Sequence, residues 1–366
     1  MTLTRPRVLL AITVYNGRAF VPATLRSALR IDRSEADVDV VVLDDASPEP
    51  GFSDELRGLC AELGAGYYRS PRNLGIVRNV NLGLLQAVDG GYDHVIVSNS
   101  DVLYPANVVT SLLRVVATDP AIGSVTAWSN NVSAYSLPND DPDRHLDQDA
   151  VDWVSTALAR QFGGTAIDVP AGISFCILVP TEVVRHVGFM DPVFGRGYCE
   201  ETDWSRRSLA RGYRIVLGPS AFVYHAGRGS TLAAGLVAGG HTSDPAKERI
   251  IDLRYPDFRR SVYDFLDSGV LEVTRTMALR RILADAARDF GYSVHLGWID
   301  RVPSDTDMVR CMVDAGPAGP GVEASWRGFR VGVEVDPAAP AAGIRRALGE
   351  RLLGEDIFDR PLGGAE

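Results

Sequence analysis

Short apolar runs alternate with helical periodicity through the first third of the chain. Val8–Val14 (VLLAITV) is nearly all apolar, the pattern of a strand buried on both faces. In Phe20–Leu29, Phe20, Thr24 and Ala28 recur at helical spacing, as do Leu25 and Leu29. The same reading predicts strands at Val38–Leu43, Tyr67–Arg69, His94–Val97 and Ile122–Ala127. It predicts helices at Asp54–Leu63, Ile76–Val88 and Val108–Val116. Strand–helix repetition of this kind argues for an α/β fold, a mostly parallel sheet with helices on both faces.

A polar, proline-bearing break at 136–149 ends this regularity. Beyond it the pattern predicts a helix at Val151–Phe162, a strand at Gly172–Val179 and a short helix at Glu182–Val187. A glycine turn at Gly195–Gly197 leads into a charged helix, Glu200–Arg211. Strands follow near Ile215–Leu217 and Phe222–Tyr224, then a glycine-rich loop, Gly227–Gly240. The last stretch reads as a helix at 276–289 and strands at Tyr292–Ile299 and Phe329–Val335, with Pro/Gly/Ala breaks at 314–321 and 336–343 and a loose tail, Pro361–Glu366. No fixed-period repeat or heptad pattern is present. The organisation expected is a principal domain over 1–255 and a small α/β appendage over 256–366.

Composition changes the picture in three places. With 366 residues, 46% hydrophobic and 23% charged, the chain is long enough for a substantial core and unlike a disordered one. A net charge of -10 argues against nucleic acid as a partner. Cys60, Cys176, Cys199 and Cys311 lie far apart with no CxxC pair. They suggest free thiols in a reducing cytoplasm rather than a zinc site or disulfide framework. No signal-like segment opens the sequence and no apolar run approaches ~20 residues, so a cytoplasmic protein is expected, with peripheral contact at the inner membrane face left open.

Candidate chemistry gathers where strands end. Ligands of open α/β sheets sit outside the carboxyl ends of the strands. Thr13–Asn16 (with Tyr15) follows the first strand, Asp44 and Asp45 with Ser47 the second, and Asn99–Asp101 the fourth. Each cluster alone is an ordinary turn or helix cap; three at one edge point to a site. The loop TVYNGRAF is no GxGxxG, and no GxxxxGK[ST] occurs, which disfavours a dinucleotide site and a P-loop. Carboxylates suit a ribose, a base N–H and a hard cation, and Arg72 and Arg78 suit a diphosphate. Together they describe a sugar nucleotide held through a metal. Glu200, Glu201 and Asp203 add acids at a helix start, where they cannot all face one way and where capping is the plainer role. His225 ends an apolar strand; it is either an ordinary structural histidine or a metal ligand beside Asp101.

Five motifs in order carry a resemblance: AITVYNGRAFVPATLRSAL, VVVLDDASPE, PRNLGIVRNVNLGL, VSNSDV, and the block from VPAGISF through FGRGYCEETDW to FVYHAG. Over roughly residues 6–232 they resemble the family 2 inverting glycosyltransferases of GT-A fold. SVTAWSNN is similar to a bacterial rhamnosyl- or galactosyltransferase-like subgroup. Two departures stand out. Asn99 replaces the first acid of the DxD motif, and EE replaces the ED pair.

The resemblance implies a GT-A domain and a hexosyl transfer from a UDP- or TDP-sugar to a saccharide, lipid-linked or small-molecule acceptor, with inversion. Asp45 would bind the nucleobase, with Asp44, Thr13 and Tyr15 shaping the nucleoside pocket. Asn73 belongs to the NLG turn, Arg78 would approach the diphosphate, and Asn99 stands in the DxD position. Asp101 and His225 would bind Mg²⁺ or Mn²⁺. Glu201 would be the base that deprotonates the acceptor hydroxyl, with Glu200 or Asp203 orienting the acceptor; Asp203 alternatively pairs with Arg206 or Arg207. Trp204, Trp128 and Tyr198 could stack on sugar rings, at least one being core. Cys199 is a small filler, since an inverting transferase needs no nucleophile. The appendage would bind acceptor or form a homodimer. Two other readings compete: an inactive GT-A-fold scaffold, kept open by Asn99, and a sugar-nucleotide nucleotidyltransferase, disfavoured because TVYNGRAF is no GxGxRL loop.

Overall fold

The apolar runs assemble into an eight-stranded sheet. The computed structural model describes residues 5–137, 146–227, 244–296, 308–314 and 321–334. It divides into two compact units, 1–136 with 147–269, and 137–146 with 270–366.

In the first unit the strands are β1 (Arg7–Val14), β2 (Asp37–Asp44), β3 (Gly66–Arg69), β4 (His94–Ser98), β5 (Val102–Leu103), β6 (Ile122–Trp128), β7 (Ile167–Asp168), β8 (Cys176–Pro180), β9 (Arg214–Phe222) and β10 (Tyr224–His225). The helices are α1 (Val21–Leu29), α2 (Phe52–Leu63), α3 (Ile76–Asp89), α4 (Val108–Val116), α5 (Gln148–Phe162), α6 (Thr181–Val187), α7 (Glu200–Leu209), α8 (Pro245–Arg254) and α9 (Phe258–Asp267). The large sheet runs β3-β2-β1-β4-β8-β6-β9-β7. Strands β3, β2, β1 and β4 are parallel, as are β6 and β9, while β8 runs antiparallel between the two sets. Every residue of β1 after Arg7 is buried, as a central strand covered on both faces requires. Register places Val14 beside Asp44 and Ile12 beside Ser98, so the polar clusters after β1, β2 and β4 emerge at one edge.

Several boundaries depart from the sequence pattern. The strand expected from Gly172 begins only at Cys176. Gly172 instead donates its N–H to Ser205 Oγ (3.0 Å), and a Cβ there would stand 2.8 Å from Ile177 Cδ1. The two strands expected near 215–217 and 222–224 are one long strand, β9, with a register irregularity opposite Ala127 and Trp128, followed by the two-residue β10. Helices α8 and α9 escaped the pattern because they bury almost nothing: Ile251 alone in α8 and no residue in α9. The glycine-rich loop lies largely outside the described residues. So do most of both Pro/Gly/Ala breaks, the tail, much of the 136–149 break, and the ends of the strands expected to reach Ile299 and Val335.

The second unit holds α10 (Val270–Phe290) and a sheet of β11 (Tyr292–Leu296), β12 (Val309–Asp314), β13 (Gly321–Trp326) and β14 (Phe329–Glu334), in that order. The sequence pattern missed β12 and β13. Phe290 and Trp326 stack at 5.6 Å with rings 7° apart. No helix among the described residues is long and apolar enough to cross a membrane.

Candidate functional site

At the end of β2 two carboxylates are held by hydrogen bonds. Asp44 is fully buried and accepts from Ser47 N–H (2.8 Å), Ser53 Oγ–H (2.6 Å) and Tyr67 O–H (2.8 Å). Burial pushes its carboxyl up, but the bonds from Ser53, Ser47 and Tyr67 outweigh burial and hold it below the usual carboxylate value. Asp45 accepts the Leu74 N–H on one oxygen (2.7 Å) and the Gly75 N–H on the other (2.8 Å). Burial leaves it above its ordinary value despite those two bonds. Asn73 Oδ1 also accepts from Gly75 N–H, at 3.0 Å. Asp45 therefore organises the turn that starts α3.

The other residues expected to bind nucleotide have separate surroundings. Thr13 Oγ–H donates to the Ser98 carbonyl (3.1 Å), tying β1 to β4, and Tyr15 is half-buried. Arg72 is exposed. Arg78 is exposed on the outer side of α3, opposite the face that carries buried Asn79. It lines a groove of about 880 Å³ with Leu82, Leu85, Phe189 and Met190.

The second cluster joins β4 to β10. Strand β10 pairs antiparallel with β5, placing His225 opposite Val102, and Ala226 N–H donates to the Asp101 carbonyl at 2.9 Å. His225 Nε2 stands 3.2 Å from Asp101 Oδ1 and 3.4 Å from Asn99 Nδ2. Its Nδ1 lies 2.8 Å from the Asn131 carbonyl, which can only accept, so Nδ1 carries a proton. Nε2 therefore faces the Asp101 carboxylate either as an N–H or as a lone pair. Burial pulls the imidazolium down, but the hydrogen bond to Asp101, its charge and the Asn131 carbonyl outweigh it and leave His225 above its ordinary value. Asn130 brackets the same residue, accepting from His225 N–H (2.8 Å) and donating to its carbonyl (3.1 Å). Asn130 and Asn131 are absent from the sequence-derived site, although the SNN triplet after β6 was the available signal.

The third cluster is the turn before α7. Gly75 packs so closely on it that a Cβ would stand 2.7 Å from the Gly195 carbonyl oxygen, which puts the turn beside the Asp45-held loop. Gly197 (φ 103°), Tyr198 (φ 70°) and Cys199 (φ 74°) are all left-handed in succession. For the two non-glycine residues such backbone costs about 1–3 kcal/mol each. Glu200 is buried and Glu201 half-buried, and each has an Oε2 that is shielded from solvent without a hydrogen-bond partner. Burial raises both carboxyls. The Glu201 charge raises Glu200 further, whereas hydrogen bonding from Glu200 works to lower Glu201. Both carboxyls are thus held above the usual carboxylate range, and the two titrate as a pair.

Asp203 has a different environment. It accepts from Arg207 (2.8 Å), Arg254 (2.7 Å) and the Tyr255 hydroxyl (2.8 Å), binding α7 to the end of α8, while Arg206 pairs with Asp257. The Arg207 pairing weighed from sequence is present. Trp128 and Trp204 are core residues at 0% and 2% exposure, so neither can stack on a sugar; Trp204 Nε1–H donates to the Gly188 carbonyl. Burial first, then the neighbouring glutamates, pushes the Cys199 thiol up to about 12, in keeping with a filler.

Residues 10–186, just under half of the chain, match the model described as glycosyl transferase family 2. A search of curated proteins finds no match. Among solved structures, GalNAc-T7 with UDP, GalNAc and Mn²⁺ is 14% identical with a TM-score of 0.52, over 71% of this chain and 50% of that one. The chain thus spans half the length of that structure. A mannosyltransferase, PcManGT from Pyrobaculum calidifontis, with GDP-Man and Mn²⁺, is 18% identical over 78% of this chain and 76% of that one, TM-score 0.48. S. aureus TarS 1-349 is 16% identical over 76% of this chain and 80% of that one, TM-score 0.45. The fold is GT-A, a mixed and mostly parallel central sheet with flanking helices, and the segment 10–186 within it matches the family 2 glycosyltransferases.

Proposed function

We propose that this protein is a glycosyltransferase that moves a hexosyl group from a nucleoside-diphosphate sugar to an acceptor hydroxyl with inversion. The observation that carries the reading is the Asp101–His225 pair at the sheet edge: a carboxylate oxygen facing an imidazole nitrogen at 3.2 Å, with Nδ1–H already donated. A proton or a cation reconciles the two acceptors. One carboxylate oxygen and one imidazole nitrogen 3.2 Å apart would fit Mg²⁺ or Mn²⁺, with the Asn99 amide nitrogen beside them as a hydrogen-bond donor. Among the described residues no three His, Cys, Asp or Glu side chains gather as one ligand set. A cation held by Asp101 and His225 would also meet the diphosphate of the donor. When bound, such a cation neutralises the charge of the departing nucleoside diphosphate.

The other residues divide the remaining work. Asp45, Asp44, Thr13, Tyr15 and Asn73 shape the nucleoside end, and Asp45 does so through the 73–75 turn it holds. Arg78, on the outer side of α3, is proposed as a diphosphate contact on the sequence pattern alone. Glu201 takes the proton of the acceptor hydroxyl, the role that the family resemblance gives its position, with burial holding both glutamates above the usual carboxylate range. Positioned base catalysis is worth ~10²–10⁴ in rate. Glu200 orients the acceptor. Asp203, tied to two arginines, keeps α7 in place.

The resemblance of SVTAWSNN supports the bacterial rhamnosyl- or galactosyltransferase-like subgroup, and the donor is a UDP- or TDP-sugar. The acceptor is a saccharide, a lipid-linked saccharide or a small molecule. The C-terminal part serves acceptor binding or dimerisation. The test is nucleoside diphosphate release from a panel of UDP-, TDP- and GDP-sugars, with Mn²⁺ and with EDTA. Metal-dependent release from one donor class is expected. Tight nucleotide binding with no release from any donor would favour the inactive scaffold.

A further inference from the structure

Lys247 is the only lysine among the 37 basic residues of the chain, and it sits on α8 against the turn before α7. Its side chain is 17% exposed. Nζ–H donates to the Gly197 carbonyl at 2.6 Å, lies 6.0 Å from the centre of the Tyr198 ring and pairs with Asp244 Oδ2 at 3.1 Å. Gly197 is the first of three consecutive left-handed residues. A Cβ there would stand 2.6 Å from Ile76 Cγ2 and 3.8 Å from Glu200 Oε1. The next two residues, Tyr198 and Cys199, lead directly into Glu200 and Glu201, whose buried Oε2 atoms lack partners. Strained backbone persists only where surrounding contacts over-determine it, and the Lys247–Gly197 bond is such a contact.

We infer that Lys247 is a positioning residue for the glutamate pair: through the Gly197 carbonyl it fixes the turn that leads directly into Glu200 and Glu201. The inference rests on the proposed reading of that pair as the base. The groups acting on the glutamates come from three places. Each glutamate acts on the other within α7, Tyr198 and Cys199 adjoin them from the turn, and Lys247 comes from α8 with Asp244 as its counter-ion. Glu248, also on α8, acts on Cys199. Burial and the Glu201 charge raise Glu200, and the Lys247 charge opposes them.

The experiment titrates the full-length protein labelled with ¹³C at glutamate carboxyls. The Glu200 and Glu201 signals are assigned by their loss in Glu200→Gln and Glu201→Gln. Lys247→Met should raise the midpoint of the pair by about 0.5 unit or more, because a nearby cation is gone. Lys247→Arg should restore it. Asp244→Asn removes the counter-ion but keeps an Asx cap on Ala246, and should lower the midpoint; it decides the matter if Lys247→Met fails to fold. In nucleotide release, Lys247→Met should lower kcat with donor KM within about twofold. Unchanged midpoints in Lys247→Met or Asp244→Asn, or equal shifts in Lys247→Met and Lys247→Arg, would overturn the inference. If Glu201→Gln is inactive while Lys247→Met titrates like wild type, only the Lys247 role fails. If the midpoints move as expected while both glutamine variants release nucleotide normally, the base assignment fails and the Lys247 placement stands.

Discussion

Asp44 and Asp45 end a strand, and Glu200 and Glu201 begin a helix; both pairs are adjacent carboxylates at the same part of the molecule. Their surroundings differ. Asp44 accepts three hydrogen bonds and each Asp45 oxygen takes a backbone N–H. Each glutamate keeps a shielded oxygen with no partner, at the end of a left-handed turn. A buried carboxylate whose acceptors are filled organises backbone. One whose acceptor is open is poised to take a proton from something that is not protein. On the proposed reading, the aspartates shape the nucleoside end and the glutamates serve the acceptor.

The largest expected effect separates the glutamates from each other. Glu201→Gln should lower transfer ~10²–10⁴-fold while nucleotide affinity stays within about threefold. Glu200→Gln should cost far less. Steady-state release rates beside equilibrium binding distinguish them; an inactive Glu200→Gln with active Glu201→Gln would move the base by one residue.

Stability should split the two pairs in the opposite sense. Asp44→Asn turns an amide donor toward groups that already donate, and should cost about 1–3 kcal/mol by denaturant melting. Glu200→Gln removes no filled acceptor and, at a pH low enough for wild type to keep its proton, should leave the melt nearly unchanged. A marginal Asp44→Asn effect would show that its hydrogen bonds do not hold the β2 end.

The pH dependence sharpens the same contrast. Asp44 is held low, so its contribution is present above its unfolded pKa and lost as pH falls through its folded value. Glu200 is held high, so its contribution is present below its unfolded pKa and lost as pH rises through its folded value. From pH 5 upward, wild type should therefore lose stability relative to Glu200→Gln. Parallel stability curves would contradict the raised Glu200. The smallest effect concerns the second unit: deleting 270–366 should change nucleoside diphosphate affinity by no more than about twofold, measured on a truncated protein that melts cooperatively.

The strand-end clusters after β1, β2 and β4 were more legible in the sequence than the turn before α7, for physical reasons. Strand β1 is buried at every residue after Arg7, and β2 and β4 carry the buried apolar runs Val40–Leu43 and Val95–Val97, so the polar residues that follow them stand out. The Asp101–His225 meeting needed β10 to pair with β5, two strands of two residues each, and the sequence offered it only as one of two readings of a strand-end histidine. The left-handed turn could be read at Gly195 and Gly197 but not at Tyr198 and Cys199, whose side chains do not advertise positive φ. Lys247 gave no signal because α8 buries only Ile251 and lacks an apolar stripe.

Calorimetry with UDP, TDP and GDP, each with and without Mn²⁺, tests the central claim most directly when wild type is compared with Asp101→Ala. The account predicts that one of these nucleotides binds wild type at least ~10-fold more tightly with Mn²⁺, a coupling of about 1.4 kcal/mol. That gain should vanish in Asp101→Ala and shrink in His225→Ala. The same Mn²⁺ dependence in Asp101→Ala as in wild type would contradict the proposed metal corner, and no nucleotide binding by the wild-type protein would contradict the donor site itself.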